Sequence, residues 1–185
     1  MTPATRVRRT VSRVGAYLDE FERSINDREG FWLDAAQAVD WITPPQRALD
    51  DSTPPIYRWF PGASLNTSVN ALDRHVAAGR GDATALIWDS AMVGEKRRYS
   101  YAELLDEVAA FAGVLAGRGL QRGDRAVIYM PMIPEAAIAM LACARLGVVH
   151  SVVFGGFAAP ELATRIDDAA PVAVITASGG LEPGR

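Results

Sequence analysis

Residues 123–180 read GDRAVIYMPMIPEAAIAMLACARLGVVHSVVFGGFAAPELATRIDDAAPVAVITASGG, and their rhythm decides the fold class. Three apolar runs, Ala126–Met130, Val148–Phe154 and Val172–Thr176, recur at nearly equal intervals and predict three strands. Between them lie two helical stretches, Glu135–Arg145 and Pro160–Ala169. Strands and helices alternating at this spacing call for parallel pairing with right-handed crossovers. The first of these helices, within PEAAIAMLACARLG, is apolar almost all round. It should therefore be buried on more than one side.

Gly155 and Gly156 stand where the second strand ends. In open α/β sheets that carboxyl edge is where ligands bind. Small residues there let a ligand approach the backbone, and the helix that follows offers free amides to an anion. Two glycines after a strand are, taken alone, more often just a tight turn. No third glycine follows at the dinucleotide spacing, and no lysine follows at the Walker spacing, Lys96 being the only lysine in the chain. A second glycine-rich turn, GGLEPGR at 179–185, ends in Arg185. An arginine there suits a phosphate through a charge-assisted contact, or is simply a surface arginine. If the strands are neighbours, the two turns lie side by side.

Other reactive side chains do not assemble into a catalytic pattern. Asp73 and His75 belong to one predicted helix, where near neighbours do not face one another. They read as a helix-surface ion pair or a hydrogen-bonded packing histidine. His150 and Ser151 are adjacent on a strand and point to opposite faces. Cys143 lies in the buried helix and reads as a small core residue. Two histidines and one cysteine, far apart in sequence, make no metal-ligand cluster. The residues thus assign no catalytic group and no metal site.

Upstream, residues 1–80 form an irregular, helix-containing lead segment. Val14, Tyr17, Leu18 and Phe21 fall at helical spacing, and a second helix starts near Asp27 with Phe31 and Trp32 as apolar contacts. Pro44, Pro45, Pro54, Pro55 and Pro61 then forbid long regular structure. Trp41, Tyr57, Trp59 and Phe60 argue for an ordered strap, because disordered segments are poor in aromatics. A further helix is expected over Ser68–Ala78, with Val69, Leu72 and Val76 on one face. From 81 to 185 the texture is α/β. ATALIWDS at 83–90 reads as a strand, and a helix begins at the capping box formed by Ser100 and Glu103. Leu104, Val108, Phe111 and Leu115 make its buried stripe, and Gly119 stops it. The expected fold is α/β, a partial parallel sheet with flanking helices, behind a helical and proline-rich lead.

Composition narrows the partners. With 49% hydrophobic and 22% charged residues the chain is ordinary for a globular protein. A net charge of −3 points to neither nucleic acid nor an anionic membrane surface. A single cysteine fits a reducing compartment. Arg6, Arg8, Arg9 and Arg13, without an acid among the first eighteen residues, allow a transit-peptide reading. The following segments flow on without a cleavage-like break, so the expected location is the cytoplasm.

Several strings carry a resemblance: SINDREGFW, DWITPPQRALDDSTPPIYRWFPGASLNTSVNALDRHV, and the 123–180 stretch. Over roughly Tyr17 to Arg185 the chain closely resembles the N-terminal part of short-chain acyl-CoA synthetases. These are the acetyl-CoA and propionyl-CoA synthetases of the AMP-forming adenylating superfamily. STPPIYRWFPGASLN and ATRIDDAAP look more like the propionate branch. The resemblance implies an enzyme that joins a carboxylate to ATP, giving acyl-AMP and pyrophosphate, and then passes the acyl group to coenzyme A. It implies that Phe154, Gly155 and Gly156 form the wall for the coenzyme A nucleotide and that Arg185 meets its 3′-phosphate. Glu182 departs from the pattern, standing where acetate-type relatives place an arginine, and a carboxylate there would repel phosphate. The family's phosphate loop, adenine and ribose motifs, acyl pocket and catalytic lysine find no match in residues 1–185. The chain is therefore expected to hold part of a coenzyme A site, to leave ATP and Mg to the full-length parent, and to be inactive alone. The remainder of the synthetase as a second chain is one expected partner. A stand-alone, non-catalytic module that binds coenzyme A or a protein is the alternative.

Overall fold

A computed structural model of the chain describes residues 4–181, with side chains from Gly15 onward. It divides between Leu65 and Asn66 into two units.

The first unit holds helices α1 (Ala4–Asn26) and α2 (Arg28–Ala36), followed by strands β1 (Trp41–Thr43), β2 (Leu49–Asp50), β3 (Arg58–Trp59) and β4 (Ser64–Leu65). The helix expected around Tyr17, Leu18 and Phe21 is part of the longer α1, and those three side chains are exposed. The side chain of Val14 lies outside the described residues. Asp27 caps α2, its carboxylate accepting from the Gly30 amide at 3.1 Å. The proline-rich stretch forms only very short antiparallel ladders, β1 with β4 and β2 with β3. Aromatic contacts order it: Trp32 meets Trp59 edge-on at 5.3 Å and Trp41 meets Phe60 at 5.5 Å. The Trp41 indole N–H also donates to the Ala36 carbonyl at 2.8 Å. The strap is ordered because its rings pack on one another and on α2.

The second unit starts with a helical segment over Val69–Asp73 and Val76–Arg80, broken by a left-handed Gly79. It continues with β5 (Thr84–Ser90), β6 (Glu95–Ser100), α3 (Tyr101–Gly117), β7 (Arg125–Met130), α4 (Pro134–Leu146), β8 (Val149–Phe154), α5 (Ala159–Ala169) and β9 (Ala173–Thr176). The capping box forms as expected: the Ser100 hydroxyl accepts from the Glu103 amide, and the Glu103 carboxylate accepts from the Ser100 amide at 2.8 Å. Ala112 rather than Phe111 completes the fully buried stripe of α3 with Leu104, Val108 and Leu115. The Phe111 ring is only partly covered.

The parallel sheet has the order β8–β7–β9, so β7 separates the other two strands. The two glycine-rich turns are consequently not on neighbouring strands. The other two strands of this unit form a hairpin. β5 pairs antiparallel with β6 in a sheet of their own and takes no part in the parallel sheet. β6 itself went unforeseen because EKRRYS is charged, and its first four side chains are exposed. Backbone pairing with β5, not burial of its own side chains, makes it a strand.

Ala126 and Ile128 of β7 point into the core formed with α3 and α4, while Val127 is buried on the opposite face with Val153, on the side of α5. Helix α4 packs against α3, β7 and β8, as its all-round apolar surface requires. A bidentate pair anchors its last turn, with Arg145 donating to both Asp73 oxygens at 2.9 and 3.0 Å. Asp73 is thus engaged with Arg145, and His75 packs at a tilt against Tyr101, with ring centroids 4.7 Å apart, so the two form no acid–base couple. Cys143 is fully enclosed in α4, and burial pushes its thiol pKa up, away from the reactive thiolate.

The outer edge of β8 carries Val149, Val152 and Phe154 with half or more of their surface exposed. An apolar edge of this kind is a template for further pairing. The isolated 185-residue chain should therefore self-associate as its concentration rises, and Val152→Lys should shift it toward monomer. Light scattering across a dilution series checks this, and a wild-type chain that stays monomeric throughout refutes it. The capping box makes a separate prediction: Ser100→Ala should cost about 1 kcal/mol in urea unfolding. The hydrogen bonds from Ser100, its amide first, hold the Glu103 carboxyl below the usual glutamate range. Because folding lowers that pKa, the contribution is full above the ordinary range and is lost as pH falls through the depressed value.

Candidate functional site

The carboxyl ends of β7, β8 and β9 surround a hollow of about 190 Å³, bounded by Tyr129–Pro131, by Gly155, and by the segment from Thr176 to Gly180. The two glycine turns thus come together across the end of β7 although their strands are not adjacent. The chain leaves β7 through Pro131, and Trp88 pins this exit by donating its indole N–H to the Met132 carbonyl at 2.7 Å. Arg97 of β6 lies over the Trp88 ring at 5.2 Å. The hairpin thereby fixes the loop that forms one wall of the hollow.

Gly155 and Gly156 do not adopt left-handed backbone, so space rather than φ selects them. A Cβ on Gly155 would lie 2.7 Å from the Met130 carbonyl oxygen and 2.9 Å from the Pro131 nitrogen. Both are rigid backbone atoms. The residue is glycine because the β8 turn crosses directly against the β7 exit. A Cβ on Gly156 would instead meet the Phe154 ring, a side chain and not backbone, at 2.7 Å. Phe154 is 59% exposed and Phe157 is 39% exposed; the two rings meet edge-on at 5.9 Å. Together with the bare glycine backbone they form an apolar, partly exposed wall suited to a flat ring.

The expected anion grip of the helix after this turn is weak. Pro160 supplies no amide, the amides of Glu161 and Leu162 already point to the Ala158 carbonyl, and Glu161 puts a negative charge in the first turn. Arg185, expected to meet a phosphate, and Glu182, expected to oppose it, lie outside the described residues. Phe154, Gly155 and Gly156 are brought together at one turn.

Three further residues shape this turn that the sequence reading did not single out. Tyr129 donates its hydroxyl to the Phe157 carbonyl at 2.8 Å. Arg165 holds its guanidinium over the Phe157 ring, 4.8 Å from the centroid. Glu161 holds Arg165 in place through its carboxylate at 3.2 Å and its carbonyl at 2.9 Å. The Glu161–Arg165 spacing was a visible helical pair. The role of Tyr129 depends on a strand and a turn 28 residues apart in the chain.

A larger apolar groove of about 720 Å³ lies between β5, the start of α4 and the carboxyl ends of β7 and β8. Met92, Met130, Met132 and Met140, four of the five methionines in the chain, line it. Asp89 and Phe154 also line it. The smaller hollow is the better candidate site because it lies at the carboxyl ends of all three parallel strands, between the two glycine turns.

Gly155→Ala isolates the role of close packing. It should destabilise the chain by about 1–3 kcal/mol through overpacking against backbone that cannot yield. Gly156→Ala should cost less, because the group in the way is a side chain, displaced at the loss of its edge contact with Phe157, and not backbone. Paired urea unfolding curves check the order, and equal losses at both positions would refute it.

Two family models match the chain in succession. One, described as acetyl-coenzyme A synthetase N-terminus, covers residues 17–71, and one described as AMP-binding enzyme covers residues 73–183. Among curated relatives, an uncharacterized protein of Pseudomonas aeruginosa is 54% identical over 90% of the chain. The mitochondrial acyl-CoA synthetase short-chain family member 3 of Rattus norvegicus is 49% identical over 95%, and the acetyl-coenzyme A synthetase of Streptomyces coelicolor is 50% identical over 90%. In each case the match takes in 26% of the relative, so the chain spans about a quarter of the length of these proteins. No helix among the described residues is long and apolar enough to cross a membrane. With its α/β fold and both family models matched in order, the chain belongs to the AMP-binding enzymes and corresponds to the N-terminal portion of a short-chain acyl-CoA synthetase.

Proposed function

We propose that this chain is the N-terminal part of an AMP-forming synthetase that joins propionate or acetate to coenzyme A at the expense of ATP. The observation that carries the reading is the ordered pair of family matches, 17–71 then 73–183, on a chain about half identical to named short-chain synthetases. Within this reading Phe154, Gly155 and Gly156 form one wall of the coenzyme A site, and Arg185 takes the 3′-phosphate. The exposed Phe154 ring beside bare glycine backbone fits the flat adenine of the nucleotide. The phosphate charge falls to Arg185, while Arg165 of α5 is engaged with Glu161 and Phe157. ATP and Mg are met by residues outside this chain. Coenzyme A supplies the thiol that accepts the acyl group, and this chain's part is to orient it and shield the apolar wall from water. The substrates are small molecules and the working compartment is the cytoplasm. Residues 1–185 alone carry no turnover.

Expression of the complete reading frame that contains residues 1–185 tests the proposal. Acyl-CoA and AMP should form from ATP and coenzyme A with propionate or acetate, propionate being preferred. The 185-residue chain alone should form neither product. Failure of the complete protein on both acids would sink the reading. A native polypeptide of 19.9 kDa that binds coenzyme A without turnover would replace it with a non-catalytic module.

A further inference from the structure

The turn that carries Phe154 is fastened from three directions. From β7, held by strands on both sides, Tyr129 donates its hydroxyl to the Phe157 carbonyl at 2.8 Å. From β8, the Phe154 carbonyl accepts the Phe157 amide at 3.0 Å, closing the turn on itself. From α5, Arg165 covers the Phe157 ring at 4.8 Å, and Phe157 in turn meets Phe154 edge-on. Two adjacent glycines would otherwise leave this backbone with more freedom than any other pair of residues. The Phe154 ring is too exposed for core packing to set its direction. Its orientation depends on Phe157, and that of Phe157 depends on Tyr129 and Arg165.

Arg165 is placed to steady a ring and not to bind an anion. Its guanidinium face is spent on Phe157, and Glu161 compensates its charge at 3.2 Å. We propose that Tyr129, Phe157 and Arg165 are positioning residues that hold Phe154 as a pre-formed face for the nucleotide ring of coenzyme A. They thereby govern capture of coenzyme A and not activation of the acid. This rests on the reading of Phe154 as part of the coenzyme A site. Pre-organising such a face removes an ordering cost that binding would otherwise bear.

The test uses the complete synthetase and four variants: Phe154→Ala, Tyr129→Phe, Arg165→Met and Arg165→Lys. Two activities are read, the KM for coenzyme A against kcat in acyl-CoA formation, and acid-dependent ATP–pyrophosphate exchange without coenzyme A. Loss of the Tyr129 hydrogen bond should raise the KM for coenzyme A by about three- to tenfold. Loss of the cation over Phe157 should raise it about two- to fivefold. Pyrophosphate exchange should stay at the wild-type rate in both, and Arg165→Lys should recover most of the lost affinity. The Arg165→Met penalty should be the same with dephospho-coenzyme A, which lacks the 3′-phosphate. A penalty confined to coenzyme A would make Arg165 a phosphate ligand and overturn the positioning role. Equal losses in exchange and in acyl-CoA formation would mark the network as general scaffold and also overturn it. If Phe154→Ala raises the KM while Tyr129→Phe and Arg165→Met do not, the network has no part in capture and the inference falls alone. If Phe154→Ala itself leaves the KM unchanged, the coenzyme A reading of this wall falls first, and the inference with it.

Discussion

Everything in the second unit depends on strand β7 being buried on both faces. Val127 and Ile128 are adjacent in sequence and both are fully enclosed, one on each side of the sheet. A parallel strand can satisfy that condition only when crossover helices cover both faces, since no hairpin can link parallel neighbours. Helix α4 covers one face on the way to β8. Helix α5, packed against β7, carries the chain past it to β9 on the far side. With neighbours on both edges and helices on both faces, the carboxyl end of β7 is the most rigid point from which a site can be built. The candidate site is built there, against Met130 and Pro131.

Rigidity at that point explains the division of labour among the glycines and aromatics. Gly155 has no side chain because the β8 turn meets unyielding backbone. Gly156 leaves room for the Phe154 ring. The hairpin β5–β6 contributes Trp88, whose hydrogen bond to Met132 fixes the β7 exit from outside the parallel sheet. At the other end of α4, the Arg145–Asp73 pair joins the helix to the segment beginning at Val69, with both partners less than one-third exposed. Removing either partner would leave a partly desolvated charge without its counterpart, a loss larger than that of an exposed surface pair. The unit is thus tied at both ends of its most apolar helix, and the AMP-binding family match begins at Asp73 itself.

Local and periodic features were legible in the chain. The three parallel strands, helices α3, α4 and α5, the capping box at Ser100 and Glu103, and the cap at Asp27 all follow from side-chain period and from groups that satisfy orphan amides within a few residues. The family was legible for a related reason, since long ungapped runs match in order. The wall residues Phe154, Gly155 and Gly156 were found because they are contiguous. What could not be read is non-local. Strand β6 carries no apolar signal and exists only through its pairing with β5. The order β8–β7–β9 is invisible to periodicity, because a crossover helix of given length can return the chain to either side of a strand. Tyr129, Phe157 and Arg165 meet because β7, the turn and α5 converge in space, across separations no local pattern encodes. The sequence alone determined the elements and their class, because burial period and capping act over one or two turns of chain. Only the tertiary structure decided which strand is central and which side chains hold the wall, because those outcomes depend on burying both faces of β7 at once.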